Sequence, residues 1–251
     1  MLSHLFPLSH FLSMKNKDSI SRRKLLAVTA AGVAATVGGS SVLAQQRPLA
    51  RRTLRFNNAS FYDKDGKFDV EKGKDAIITL CRYHGYPVFP KLRENLWVSD
   101  YGLGKFTELG LACVIHVNNV DGEYSYMMLD IFLLPNQMLP EHWHLKPENG
   151  AIAQKNEGWL IRWGRSYVVG EGEPNLPPEV VVPKCHMDGT VTVEHCVEAN
   201  PGDFVPLTKV GTRHWQLAGK QGVILTEVAN AHDGPSVRHS DPACNEAFLR
   251  G

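Results

Sequence analysis

From Leu111 onward the chain is cut into short apolar or alternating runs, and this pattern restricts its architecture more than any other feature. The runs read LACVIHV, YSYMMLDIFLL, GWLIRW, SYVVG, EVVV, TVTVEHCV, DFVPL and GVILTEV, with Gly, Pro, Asn and Asp between them. Alternation in twos puts apolar side chains on one face of a strand, and runs this short do not make core helices. An all-β antiparallel sandwich or barrel follows. With 251 residues, 43% hydrophobic and 21% charged, the chain can bury one main core. Formal net charge is +1, acids and bases are interspersed, and the body of the chain has no basic stripe, so nucleic acid is not an expected partner.

Three other segments precede the strands. From Ser21 the sequence reads SRRKLLAVTAAGVAATVGGSSVLAQ, a twin-arginine pair followed by a mildly apolar Ala/Gly-rich stretch. It resembles a Tat export signal, with Met14 as a possible translation start. Val42-Leu43-Ala44 ends in the small residue that signal peptidase needs. Residues 1–44 are therefore read as a signal peptide and the protein as periplasmic or exported through the Tat machinery, an uncleaved anchor being the alternative. Residues 45–68 are polar and read as an extended arm or linker. Asp69 to His84 then shows apolar Val70, Ile77, Ile78 and Cys81 at helical spacing, an acidic first turn, and Gly85 and Pro87 as stop signals. One amphipathic helix is predicted there, packed outside the strands, with the barrel domain spanning 69–251.

The stretch Leu139–Gly164, LPEHWHLKPENGAIAQKNEGWLIRWG, carries the chemistry. His142 and His144 stand two apart, so on a strand both imidazoles point to one face and can share a metal ion. By itself an H-x-H pair is also what a solvated or carbonyl-bonded strand looks like. Here it is followed by Glu157 with Gly164 seven residues on, and later by PGDFVPLTKVGTRHW with His214. Imidazoles with one carboxylate suit Mn, Fe, Co, Ni or Zn rather than a thiolate-seeking metal. Cys81, Cys113, Cys185, Cys196 and Cys244 show no C-x-x-C spacing and read as structural or free, with one disulfide possible in an oxidising compartment.

The order H-x-H, E-x6-G, P-G-D and G-x2-H resembles the two motifs of the cupin superfamily, which implies a jelly-roll barrel with His142, His144, Glu157 and His214 as metal ligands. Glu148, four residues after His144, competes for the carboxylate place but lacks the E-x6-G spacing. More narrowly, WVSDYGLGKFTELGLACVIHVNN, LPEHWH, EGWLIRWG and the run from PGDFVPLTKVGTRHWQLAG to HSDP are similar to the D-lyxose isomerase-like sugar isomerases. That resemblance implies a metal-dependent aldose–ketose isomerase of the D-lyxose/D-xylulose or D-mannose/D-fructose type, working through an enediol. It implies a small sugar as substrate, a divalent metal with manganese foremost, and a homodimer. Glu227, in LTEVA, falls where the family places a catalytic carboxylate, and Lys146 is a candidate proton shuttle or enediolate stabiliser.

The segment after Glu227, ANAHDGPSVRHSDP, departs from the family's Ser/Asp-rich run. His232 and His239 there, like His116, His186 and His195, read as structural or exposed. Trp143, Trp159, Trp163 and Trp215 read mostly as barrel core. Two other functions share the ligand set: a cupin dioxygenase or oxidase, and a sugar-binding cupin without a base.

Overall fold

The helical period is realised as α1, Val70–His84. Asp69 caps its start by accepting from the Lys72 amide, and Gly85 ends it in the left-handed conformation at φ 78°. Ile77, Leu80 and Cys81 on its inner face are fully buried, against Phe132 and Ile224 of the sheet. Residues 53–148 and 153–250 are described by the computed structural model. The twin-arginine segment and the cleavage site expected after Ala44 lie outside the described residues.

The second half of the expected arm is laid onto the body. Phe61 is buried with its ring 5.1 Å from that of Phe106, and the Tyr62 hydroxyl donates to Asp100 at 2.9 Å. Four aromatic side chains, Phe56, Phe61, Tyr62 and Phe68, give this otherwise polar stretch enough apolar surface to pack.

Among the described residues nine strands form one curled sheet: β1 Trp97–Ser99, β2 Leu111–Asn119, β3 Tyr126–Leu133, β4 Met138–His144, β5 Glu157–Gly170, β6 His195–Ala199, β7 Phe204–Pro206, β8 His214–Ala229 and β9 Val237–His239. The order runs β1-β2-β3-β8-β4-β9, with β5 pairing β6, β7 and β8. All these ladders are antiparallel. The fold is the all-β jelly roll. A short helix α2, Leu92–Asn95, precedes β1, and α3, Pro242–Arg250, closes the described chain.

GWLIRW and SYVVG are one long strand, β5, which runs beside β8 from Glu157↔Ala229 to Val169↔Trp215. Between Gly164↔Val223 and Ser166↔Ala218, β8 takes a detour through 219–222. Gly164 (φ 78°) and Gly222 (φ 73°) make this possible, because a Cβ on Gly164 would lie 2.1 Å from the Gly222 carbonyl oxygen. The glycine of E-x6-G is thus a kink inside β5.

EVVV is irregular, since Pro177, Pro178 and Pro183 around it have no N–H for a ladder. TVTV also stays out of the sheet, because the amides of Thr192 and Val193 donate to Glu141. All five cysteines are free. Among the described residues no helix is long and apolar enough to cross a membrane.

Candidate functional site

The side chains singled out on β4, β5 and β8 meet inside the curl of the sheet. His142 and His144 share a face of β4, and His142 lies opposite His214, the first residue of β8, so their Nε2 atoms come within 3.1 Å. Glu157 begins β5, and its Oε1 lies 3.0 Å from His144 Nε2 and 3.2 Å from His214 Nε2. The three histidines offer ring nitrogens all within 4.8 Å of one another.

Second partners fix how these rings are protonated. His142 Nδ1 faces the Pro140 carbonyl at 2.9 Å and His214 Nδ1 the Thr212 carbonyl at 3.0 Å. A carbonyl only accepts, so both Nδ1 atoms carry the hydrogen, and in the neutral tautomer that this selects, each Nε2 turns a bare lone pair towards the centre. His144 Nε2 and Glu157 Oε1 are likewise buried without a conventional hydrogen bond. Buried lone pairs facing one another at about 3 Å repel unless a cation sits among them, and this donor set suits a divalent first-row metal.

Glu227 lies beside this cluster. It stands on β8 opposite Leu129 of β3 and Trp159 of β5. Lys155 Nζ reaches both carboxylates, 2.5 Å from Glu227 Oε1 and 2.7 Å from Glu157 Oε2. The Trp159 indole donates to Glu227 Oε2 at 3.2 Å. Together with His142, His144, His232 and His239, Lys155 and Glu227 give one side of a cavity of about 650 Å³ its polar lining.

No protein-family model matches the chain. A D-lyxose/D-mannose isomerase of Thermosediminibacter oceani is 31% identical over 176 residues, which is 70% of this chain and 93% of that protein. The chain belongs to the D-lyxose isomerase family. A D-lyxose ketol-isomerase of Cohnella laeviribosi is 30% identical over 159 residues, 63% of this chain and 83% of its own. An L-ribose isomerase of Cellulomonas parahominis shares the fold, with a TM-score of 0.54 and 16% identity, over 74% of this chain and 96% of the other. As a member of the D-lyxose isomerase family the protein is a sugar isomerase, an enzyme of the aldose–ketose class.

The electrostatics of this family member separate its two buried carboxylates. Burial opposes ionisation of Glu157, but Lys155 and the imidazoles beside it hold its carboxyl well below the usual range. Burial pushes Glu227 up to about 7 against the pull of Lys155. Burial would strip the proton from Lys155, and the two carboxylates instead raise its pKa above that of an ordinary lysine. Burial brings His144 down to about 4 against the pull of Glu157, and burial with the neighbouring imidazoles puts His142 well below its ordinary value. Near neutral pH these two rings are free of the extra proton that would block ligation.

Two readings from the sequence are corrected here. Lys146 is exposed and does not line the cavity; the amine in the site is Lys155. The signal for it was K-N-E, which in extended chain puts Lys155 on the face of Glu157. Glu148 is also exposed and outside the cluster. Among the histidines read as structural or exposed, His239 lies opposite His142 on β9, is buried, and lines the cavity with His232. No local spacing marks either of them, because their place depends on β9 pairing with β4. His116, His186 and His195 bond elsewhere, to Asp130, the Thr190 carbonyl and the Glu173 carbonyl. Trp143 stacks under the Arg213 guanidinium at 4.5 Å.

Proposed function

We propose that this sugar isomerase is divalent-metal-dependent and interconverts an aldose and its ketose of the D-lyxose/D-xylulose or D-mannose/D-fructose type through an enediol. The observation that carries the reading is Glu227, a buried carboxylate with a near-neutral pKa, set against a three-imidazole, one-carboxylate cluster at the inner end of a cavity. A cation held by His142, His144, Glu157 and His214 would supply Lewis-acid polarisation of the sugar carbonyl.

The chain's own groups do the rest. Glu227, once ionised, takes the proton from C2 of the open-chain aldose and returns it to C1, while the hydroxyl proton on O2 passes to O1. Its raised pKa brings it close to the pH at which it must both accept and give back that proton. Lys155 stays charged, holds Glu227 Oε1 in place and offsets negative charge as the enediolate forms. Trp159 fixes the other carboxylate oxygen, and each oxygen keeps a second lone pair for the substrate. The apolar walls of the cavity limit water around the enediol.

The test is metal content and proton exchange measured together in deuterated water with D-lyxose and D-mannose. The reading requires stoichiometric metal, manganese first, and deuterium entering at C1 or C2. Metal without exchange on any aldose would sink it, and oxygen uptake would then mark a cupin oxidase. We also propose export, on the twin-arginine segment alone, and a homodimer. Mass measurement of the cell-derived protein should find Gln45 at the N terminus, and sedimentation should find two copies; an N terminus ahead of Gln45 or a monomer would overturn these two points.

A further inference from the structure

The cavity is larger than a free aldose needs and has two unlike walls. At about 30 Å³ for each water, its volume of about 650 Å³ holds roughly twenty waters, whereas a hexose brings only about a dozen heavy atoms. Its size falls within the range of small-molecule pockets, about 300–1,000 Å³, and leaves room beside a single hexose. The change from one wall to the other follows a chain of rings. Centroids step from His214 to His142 (4.2 Å), from His142 to His239 (5.8 Å), and from His239 to Tyr101 and Phe248 (5.1 and 5.3 Å). Trp97 closes the series, 6.4 Å from Tyr101 and 6.2 Å from Phe248, and is 42% exposed.

Up to His239 the rings are imidazoles, and Lys155 and Glu227 accompany them. The rest of the described lining includes Trp97, Tyr101, Leu111, Ile115, Ala247 and Phe248, and the side-chain hydroxyls in it are those of Ser99 and Tyr101. The Ser99 oxygen is already engaged by the Tyr101 amide at 3.0 Å. Tyr101 is held at φ 53°, uncommon for a bulky residue, yet its ring is almost wholly buried. Its plane lies only 22° from that of Phe248. Hydroxyls on the outer carbons of an unsubstituted sugar would lose water here and find few partners. An apolar ring would find the aromatic surfaces of Trp97 and Phe248, next to the buried ring of Tyr101.

We propose that the cavity is built for an aldose carrying an apolar, ring-sized group on the carbon farthest from its carbonyl, seated among Trp97, Tyr101 and Phe248. This rests on the isomerase reading for the inner end of the site, and the test separates the two. With the metal-loaded mature protein, kcat/KM is compared for D-mannose, 6-O-benzyl-D-mannose and a D-mannose bearing a second hexose on O6. In parallel, calorimetry compares D-mannitol with 6-O-benzyl-D-mannitol, which bind without reacting.

The benzyl compounds should gain at least tenfold in kcat/KM, through KM, and at least tenfold in affinity. Trp97→Ala, at a half-exposed position, should bring the benzyl-to-free ratio close to one in both experiments, and Trp97→Phe, which keeps an aromatic ring, should retain most of the preference. Benzyl compounds no better than the free ones, a preference for the second hexose, or a ratio unmoved by Trp97→Ala would overturn the proposal. Tighter benzyl-mannitol binding with no exchange on any sugar would support the apolar subsite and strike only the isomerase reading.

Discussion

Two neighbouring carboxylates, Glu141 and Glu157, are both buried, and the fold treats them in opposite ways. Glu141 sits between Pro140 and His142 on β4 and turns away from the cluster. It accepts from the Thr192 amide and hydroxyl at 2.8 and 2.6 Å, from the Val193 amide at 3.1 Å, and from the Ser240 hydroxyl. Every one of these is a fixed donor of the chain itself. Glu157 faces two imidazole lone pairs and one ammonium. The first carboxylate is saturated by the protein and ties the ligand strand to the loop before β6. The second is left open towards a partner that the chain does not supply, as a ligand must be.

The contrast can be broken or sharpened by substitution. Glu227→Gln should have the largest effect on rate, a loss of roughly 100- to 10,000-fold in kcat, with metal content and melting temperature close to wild type; unchanged turnover would remove Glu227 as the base. Glu157→Gln should abolish stoichiometric metal and with it the response to chelator. In the wild type, stripping a metal present at about 100 times its Kd costs about 2.7 kcal/mol, which is roughly 5–10 °C for a chain of this size. Glu141→Gln should behave in the reverse way. It puts amide hydrogens against donors, so stability should fall by about 2 kcal/mol, roughly 4–8 °C, while the folded fraction still binds metal and responds to chelator. If the two variants gave the same pattern, the distinction between a structural and a ligating carboxylate would fail.

Smaller effects probe the partners of Glu227. Its carboxyl is pushed up by burial to about 7, so the fraction competent as a base rises as pH rises through that value, and kcat/KM should climb and then level. Lys155→Met removes the cation that opposes this shift, so the inflection should move to higher pH; a profile that stays in place or moves down would deny Lys155 that role. Trp159→Phe deletes one hydrogen bond to Glu227 at 3.2 Å. Steady-state kinetics should register a loss of about 1 kcal/mol in transition-state stabilisation, severalfold in kcat, with metal content unchanged.

What the sequence disclosed was whatever is encoded within a few residues. α1 was legible from Asp69 to Gly85 because caps and period are local signals. His142 and His144 were legible because a spacing of two fixes a common face, and Glu157 and His214 because the resemblance to the two cupin motifs carries their places. The extents of β5 and β8 were not legible, since the Gly164 and Gly222 kinks look like breaks until each is seen resting on the other. EVVV has strand composition, but its flanking prolines outweigh it. His239 reaches the site only through β9 on β4, a contact that no short window contains, whereas Lys155 had a local signal in its place two residues before Glu157.

The pairing of β8 with strands far away in sequence has a kinetic consequence. His142 and His214 are separated by 72 residues, and so are Lys155 and Glu227. Contacts of that range are costly to close and form late. The ligand cluster is therefore among the last features the folding chain assembles, and a metal that needs all four groups has nothing to hold before then. Such a metal slows the opening of the finished barrel and leaves the rate of its formation almost untouched. For this chain the proposed metal would act as a latch on the native state, while the fold itself would be reached without it.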